Sequence, residues 1–259
     1  SDEAPAAIDK AFRVYMLPQG VFAVAVATVL FPTMSRFAAR EDTDGLRTTL
    51  STGVRQLLFL LTPAAAMLLV LSEPITQVLY QRGEFDAAQT DLVSEALFYF
   101  AFALPFAGIN LVLIRAFFSL RRPWTPTLIA LANLGVNAGL DALLYKSLGI
   151  GGITLSTAIV SFVTAVALAV VLRPALSGID GRRILDSGVR ILVAATLLGA
   201  AAIGVREAME GAVADDFGGG LLIIAAAGAA GTGVYVALAY LLRVAEAGQL
   251  WALVRGRGQ

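Results

Sequence analysis

Seven apolar stretches, each long enough to cross a bilayer, are separated by polar connections whose charge alternates in sign. Such a chain has few folds open to it. Hydrocarbon offers no water to backbone amides, so apolar segments of about 20 residues cross it as helices that satisfy their own backbones. One set of connections carries Arg36, Arg40, Arg47 and Arg55, then Arg115, Arg121 and Arg122, then Arg173, Arg182, Arg183 and Arg190, and finally Arg243, Arg255 and Arg257. The opposite set holds only Lys10, Arg13, Arg82, Lys146 and Arg206, beside Glu73, Glu84, Asp86, Asp91, Glu207, Glu210, Asp215 and Asp216. The positive-inside rule makes the arginine-rich ends cytoplasmic, so the N-terminus starts outside and the C-terminus ends inside.

A hydrophobic share of 58% against 15% charged residues is too apolar for a soluble domain of 259 residues. The net charge of zero carries little information, because the charges are sorted by side, and no nucleic-acid partner is indicated. The chain has no cysteine, which removes disulfides and thiolate metal sites, and no histidine, the commonest metal ligand and general base. Hydrolytic and redox chemistry are disfavoured, and the expectation is a protein that is not an enzyme. The opening Ser1-Asp2-Glu3 and the odd number of spans point to a piece of a longer protein.

The first span is expected over 14–34, with Pro18 and Pro32 near its ends. A polar connection, 36–55, follows with a break at Asp44-Gly45, and then a second span over 57–71 that Pro63 kinks or loosens. Residues 72–91 read as too polar to span, with a short interfacial turn or helix at 74–80 and an external loop at 82–86. The third span, 96–118, contains Pro105, Gly108, Asn110 and Arg115; Arg121-Arg122-Pro123-Trp124 links it tightly to the fourth, 127–144. Gly149-Ile150-Gly151-Gly152 is the shortest external connection, and the fifth span runs on to Leu172. Beyond a linker at 177–187, spans over 191–205 and 221–242 are rich in alanine and glycine. The expected architecture is an all-α, polytopic membrane helix bundle: five spans in 1–176 and an additional pair in 177–259.

Polar residues at membrane depth are the candidate sites. Arg13 opens the first span. It either snorkels at the interface or, aimed into a cavity by the loosened Pro18-Gln19-Gly20 turn, presents a planar fork suited to phosphate. Asn137 and Asp141 stand four apart on one helix face, with Asn133 a further turn away, opposite Thr154 and Thr157 across the glycine-rich turn. A carboxylate at that depth costs about 2.5–3.5 kcal/mol and needs a partner. Asp141 either caps its span beside Lys146 or joins oxygen ligands for a hard cation. Arg115 anchors a cytoplasmic end or lines a cavity mouth.

The run Arg13-Val14-Tyr15-Met16-Leu17-Pro18-Gln19-Gly20, continuing to Phe31-Pro32-Thr33-Met34-Ser35-Arg36, resembles the eighth helix of the MurJ (MviN) lipid II flippases, R-x-x-x-x-P-x-G-[VL]-x-G-V-A-x-A-T-V-L-x-P-x-L-S-R. Gln81-Arg82-Gly83-Glu84-Phe85 is similar to the family's E-R-G-x-F, and Arg115-Ala116-Phe117-Phe118-Ser119 with Thr125-Pro126 to its R-x-F-Y-A and T-P. The resemblance covers nearly the whole chain. It implies helices eight to fourteen of a fourteen-helix, alternating-access flippase in a bacterial cytoplasmic membrane. A cationic cavity would take the pyrophosphate of lipid II or a related polyprenyl lipid, and the last two helices would flank a groove for its tail. The partners it implies are that lipid, membrane lipids and the missing N-terminal lobe. Arg13, Gln19 and Arg115 become candidate substrate contacts, and Asn137, Asp141, Thr157 and the Ile153 carbonyl resemble a sodium site. Asp9-Lys10-Ala11-Phe12 departs from the family's Tyr-Ala-Asp/Gln, which removes the polar neighbour of Arg13, and Ala23 replaces a usual glycine. Without the N-terminal lobe and seventh helix, the chain alone is not expected to transport. Rival readings are an exporter of another polyprenyl-linked saccharide or a drug, and a transport-inactive scaffold of the cell-wall machinery. A retinal protein is disfavoured, since 221–242 has no lysine for a Schiff base.

Overall fold

The computed structural model describes residues 4–81, 86–213 and 217–248, and every regular element among them is helical. It opens with α1 (Ala4–Pro18), a π-helical turn (Gln19–Ala23) and α2 (Val24–Ala39), which run on without interruption. Pro18 has no N–H for the preceding turn, and the winding widens immediately after it. Next comes α3 (Thr43–Tyr80), unbroken through Pro63 and Pro74. A bent pair follows, α4 (Ala87–Ala101) and α5 (Leu104–Ser119), whose axes differ by 49°. Pro105 in the first turn of α5 denies the Ala101 carbonyl its helical donor, which accounts for the bend.

The long element α6 (Trp124–Leu172) turns back on itself at Gly149, where φ is 55° and ψ −129°. Left straight, its 49 residues would extend about 73 Å, more than twice a bilayer core. Instead the arms 124–148 and 150–172 lie side by side: Asn133 Nδ2 donates to Thr164 Oγ1 at 2.6 Å, and Ser156 Oγ to Asn137 Oδ1 at 2.9 Å. Gly152 is where the returning arm passes closest, since a Cβ there would meet the Leu144 backbone. A 3-10 turn (Arg173–Leu176), α7 (Gly181–Met209) and α8 (Phe217–Leu241) complete the described elements. Five helices are each long and apolar enough to cross a membrane; the α4–α5 pair adds a sixth crossing and the fold-back of α6 a seventh.

The main apolar core joins α1 to α6, with Met34, Leu57, Leu61, Leu97, Leu104, Phe117, Leu168 and Leu172 buried in it. Gly108 allows α5 to close on α3, where a Cβ would overlap the Leu61 side chain. Both α7 and α8 lie against α3 instead, with Ile191, Ala194, Leu198 and Tyr235 packed on Phe59. Gly231 brings α8 in: a Cβ there would stand 2.6 Å from Met67 Cε and 3.2 Å from Leu198 Cγ.

Three sequence expectations are corrected. Asp44-Gly45 is not a break, because the Asp42 carboxylate caps α3 by accepting from the Gly45 N–H at 2.8 Å, and the connection shrinks to 40–42. Residues 72–80 are neither loop nor separate turn; they extend α3, since Pro74, Thr76 and Val78 are buried against neighbouring helices. The linker at 177–187 is only 177–180, because Gly181 already opens α7. The external loop at 82–85, Asp215, Asp216, Arg255 and Arg257 lie outside the described residues.

Candidate functional site

The α6 hairpin gathers the proposed cation ligands. Ser156 Oγ lies 2.9 Å from Asn137 Oδ1 and 2.8 Å from the Ile153 carbonyl, and it also hydrogen-bonds Asp141 Oδ1. Thr157 Oγ1 donates to the same Ile153 carbonyl at 3.3 Å. The i, i+4 spacing puts Asn137 and Asp141 on one side of the outgoing arm, and the Gly149 reversal brings the returning arm's oxygens to meet them. Asp141 makes no ion pair with Lys146 among the described residues, so the capping alternative finds no contact to support it.

The cluster lies between the two arms of the hairpin, with Ser156 buried and Asn137, Asp141 and Thr157 half-buried. A Cβ at Gly151 would contact the Tyr99 ring of α4, and the next residue of α4, Phe100, stacks on Tyr15 at 5.4 Å. The hairpin apex is thus level with α1 near Arg13, and Asp141, eight residues further along, is about 12 Å deeper. One carboxylate among neutral oxygens gives the set a single negative charge, which a monovalent cation balances. Calcium takes six to eight oxygens and commonly several carboxylates. Among the described residues, no group of three or more His, Cys, Asp or Glu side chains could hold a metal.

Arg13 lies on the exposed face of α1, its side chain 73% accessible, with Nε donating to Asp9 Oδ2 at 2.9 Å. That carboxylate takes one edge of the guanidinium, while no other described residue bonds the Nη1 and Nη2 fork. Tyr80 Oη, at the end of α3, donates to the Lys10 carbonyl at 3.2 Å, so Arg13 is one turn inward from that helix end. Gln19 is half-buried in the π turn below it. Arg115 is elsewhere: its guanidinium stacks over the Phe31 ring at 5.4 Å. Phe31 is eighteen residues along from Arg13, about 27 Å, so the fold does not group Arg115 with Arg13 and Gln19.

Two participants escape sequence reasoning. Ser156, fully buried at 0% exposure, bonds both Asn137 and Asp141, one position from the Thr157 that the resemblance implied. Its i−3 relation to Ile153 was the available signal. Asp9 restores a polar neighbour to Arg13 from one helical turn away, and the i, i+4 spacing already held that information.

A family model described as lipid II flippase MurJ matches residues 2–217. A probable lipid II flippase MurJ of Rhizobium meliloti (strain 1021) is 35% identical over 156 residues, which cover 60% of this chain and 29% of that protein. One of Thermotoga maritima is 29% identical over 234 residues, or 90% of this chain and 45% of its own length. A solved structure titled lipid II flippase MurJ, inward closed conformation, superposes with a TM-score of 0.72 at 23% identity, covering 93% of this chain and 47% of that one. The chain therefore spans half or less of the length of these relatives, and the solved structure supports the helical fold alone. With the family model reaching across all the described helices up to α8, this chain belongs to the lipid II flippase MurJ family.

Proposed function

We propose that the chain is the C-terminal half, helices eight to fourteen, of a flippase that carries lipid II across the bacterial cytoplasmic membrane by alternating access. The observation that carries this reading is Arg13, an exposed guanidinium whose Nε is fixed by Asp9 and whose Nη fork is bonded to none of the described residues. A planar fork held at one edge suits a pyrophosphate, which accepts two parallel hydrogen bonds. The missing N-terminal lobe supplies the facing wall of the cavity, residues 1–176 act as the C-terminal lobe, and the pair within 177–259 flanks the polyprenyl tail. The arginine-rich ends face the cytoplasm and the N-terminus faces outward. No bond is made or broken in the substrate; the protein works by binding and exposure alone.

A sodium ion held by Asn137, Asp141, the Ile153 carbonyl and Thr157 biases the inward–outward equilibrium in this reading. The oxygen set and its single charge support it. An elementary charge crossing the full field gains about 2.3 kcal/mol per 100 mV, enough to shift a two-state equilibrium nearly fiftyfold. The scaffold alternative drew on the lost polar neighbour of Arg13; the Asp9 contact supports the flippase reading instead.

The test is growth complementation by the complete protein. Losing a charge-assisted hydrogen bond of about 1.5–3 kcal/mol weakens binding roughly ten- to a hundredfold, so Arg13→Ala should fail and Arg13→Lys should rescue only in part. Normal growth with Arg13→Ala at native protein levels would count against the role.

A further inference from the structure

Ser156 is completely buried on the returning arm of α6, and its hydroxyl faces more acceptors than it can serve. Asn137 Oδ1 at 2.9 Å, the Ile153 carbonyl at 2.8 Å and Asp141 Oδ1 all lie within hydrogen-bond reach of its Oγ. A serine hydroxyl has one proton and two lone pairs, so it satisfies one of these oxygens and turns lone pairs toward the rest. Thr157 brings no relief, because its own proton is directed at the Ile153 carbonyl. No lysine or arginine is bonded to the group among the described residues. Oxygens from both arms therefore converge around one negative charge with no cationic side chain of the described residues bonded to it.

We infer that Ser156 Oγ is itself a ligand of the monovalent cation and the residue that sets its size preference, an assignment that rests on the cation reading above. Without the ion, Ser156 donates to Asp141 and closes the two arms on each other. When the ion enters, the Ser156 proton turns away from Asp141 and a lone pair is left for the metal. Asn137, Asp141 and Thr157 are all half-buried, whereas Ser156 is enclosed. A ligand that has no room to retreat penalises a larger ion, so the enclosed hydroxyl favours sodium over potassium. Ser156 thereby links ion binding to the spacing of the two arms.

The experiment measures binding of radioactive sodium to the complete protein, with potassium and lithium as competitors. Ser156→Ala and Ser156→Cys should each weaken sodium binding roughly tenfold or more, and both should narrow the preference for sodium over potassium. Ser156→Thr keeps an oxygen and should stay near the native affinity, which distinguishes ligation from packing. Sodium affinity and ion preference unchanged in Ser156→Ala would overturn the assignment. If Asp141→Asn lowers sodium binding while Ser156→Ala does not, only the Ser156 assignment fails. If Asp141→Asn also leaves sodium binding at the native level, the cation reading itself fails and takes Ser156 with it.

Discussion

At the residue scale, small groups decide what larger ones do. Asp9 holds Arg13 Nε in an exposed i, i+4 pair, and such a pair contributes only about 0.3–0.5 kcal/mol to stability. Its value lies in orientation. Asp9→Ala should therefore leave the unfolding midpoint unchanged while slowing lipid translocation by about two- to threefold, well short of the Arg13→Ala loss. A fall in translocation equal to that of Arg13→Ala would show that Asp9 does more than orient. Gly149 is the second such residue, since its φ of 55° with ψ of −129° is closed to side chains bearing a Cβ. Gly149→Ala should cost about 1–3 kcal/mol in a denaturant titration, and because its Cβ would meet nothing within 4 Å, that cost would be conformational strain rather than a clash.

At the element scale, α3 and α7 meet the segment after α8 around one buried carboxylate. Glu246 is 1% exposed, takes Arg55 Nη1 of α3 at 2.6 Å and accepts from Ser187 Oγ of α7 at 2.8 Å. Beside it, Arg190 Nη1 donates to the Leu242 carbonyl at 2.9 Å. Removing one partner of a buried pair leaves the other charge uncompensated, so Glu246→Ala should destabilise the bundle by about 3–5 kcal/mol. Replacing Arg55 and Glu246 together by apolar residues should cost much less, and a double-mutant cycle in unfolding free energy checks the difference. An additive cycle would mean that the pair does not couple the elements. None of this contact was legible beforehand, because Arg55 and Glu246 are 191 positions apart and each reads alone as an interfacial charge. The spans themselves were legible, since hydropathy and arginine placement are local signals. The helix over 72–80 was not: polar side chains at Ser72 and Thr76 look solvated in sequence, while tertiary packing buries both. The oxygen cluster of the α6 hairpin was half legible. Helical spacing aligned Asn137 with Asp141, but which hydroxyl of the returning arm faces them depends on the rotation set at Gly149.

At the scale of the whole molecule, the described helices form a bundle with the exposed Arg13 guanidinium near one end and an oxygen cluster deeper in the α6 hairpin. If the proposed alternating-access reading holds, a second lobe is required against which this one rocks, and the chain expressed alone should bind lipid II weakly and translocate none. The complete protein is the proper subject of the test. The measurement is the rate at which lipid II headgroups in proteoliposomes become accessible to a membrane-impermeant reagent, for native protein and Arg13→Ala side by side. Translocation by the native protein, falling roughly tenfold or more in Arg13→Ala, is the result expected of a pyrophosphate-gripping flippase. Translocation at the native rate with Arg13 removed would contradict it.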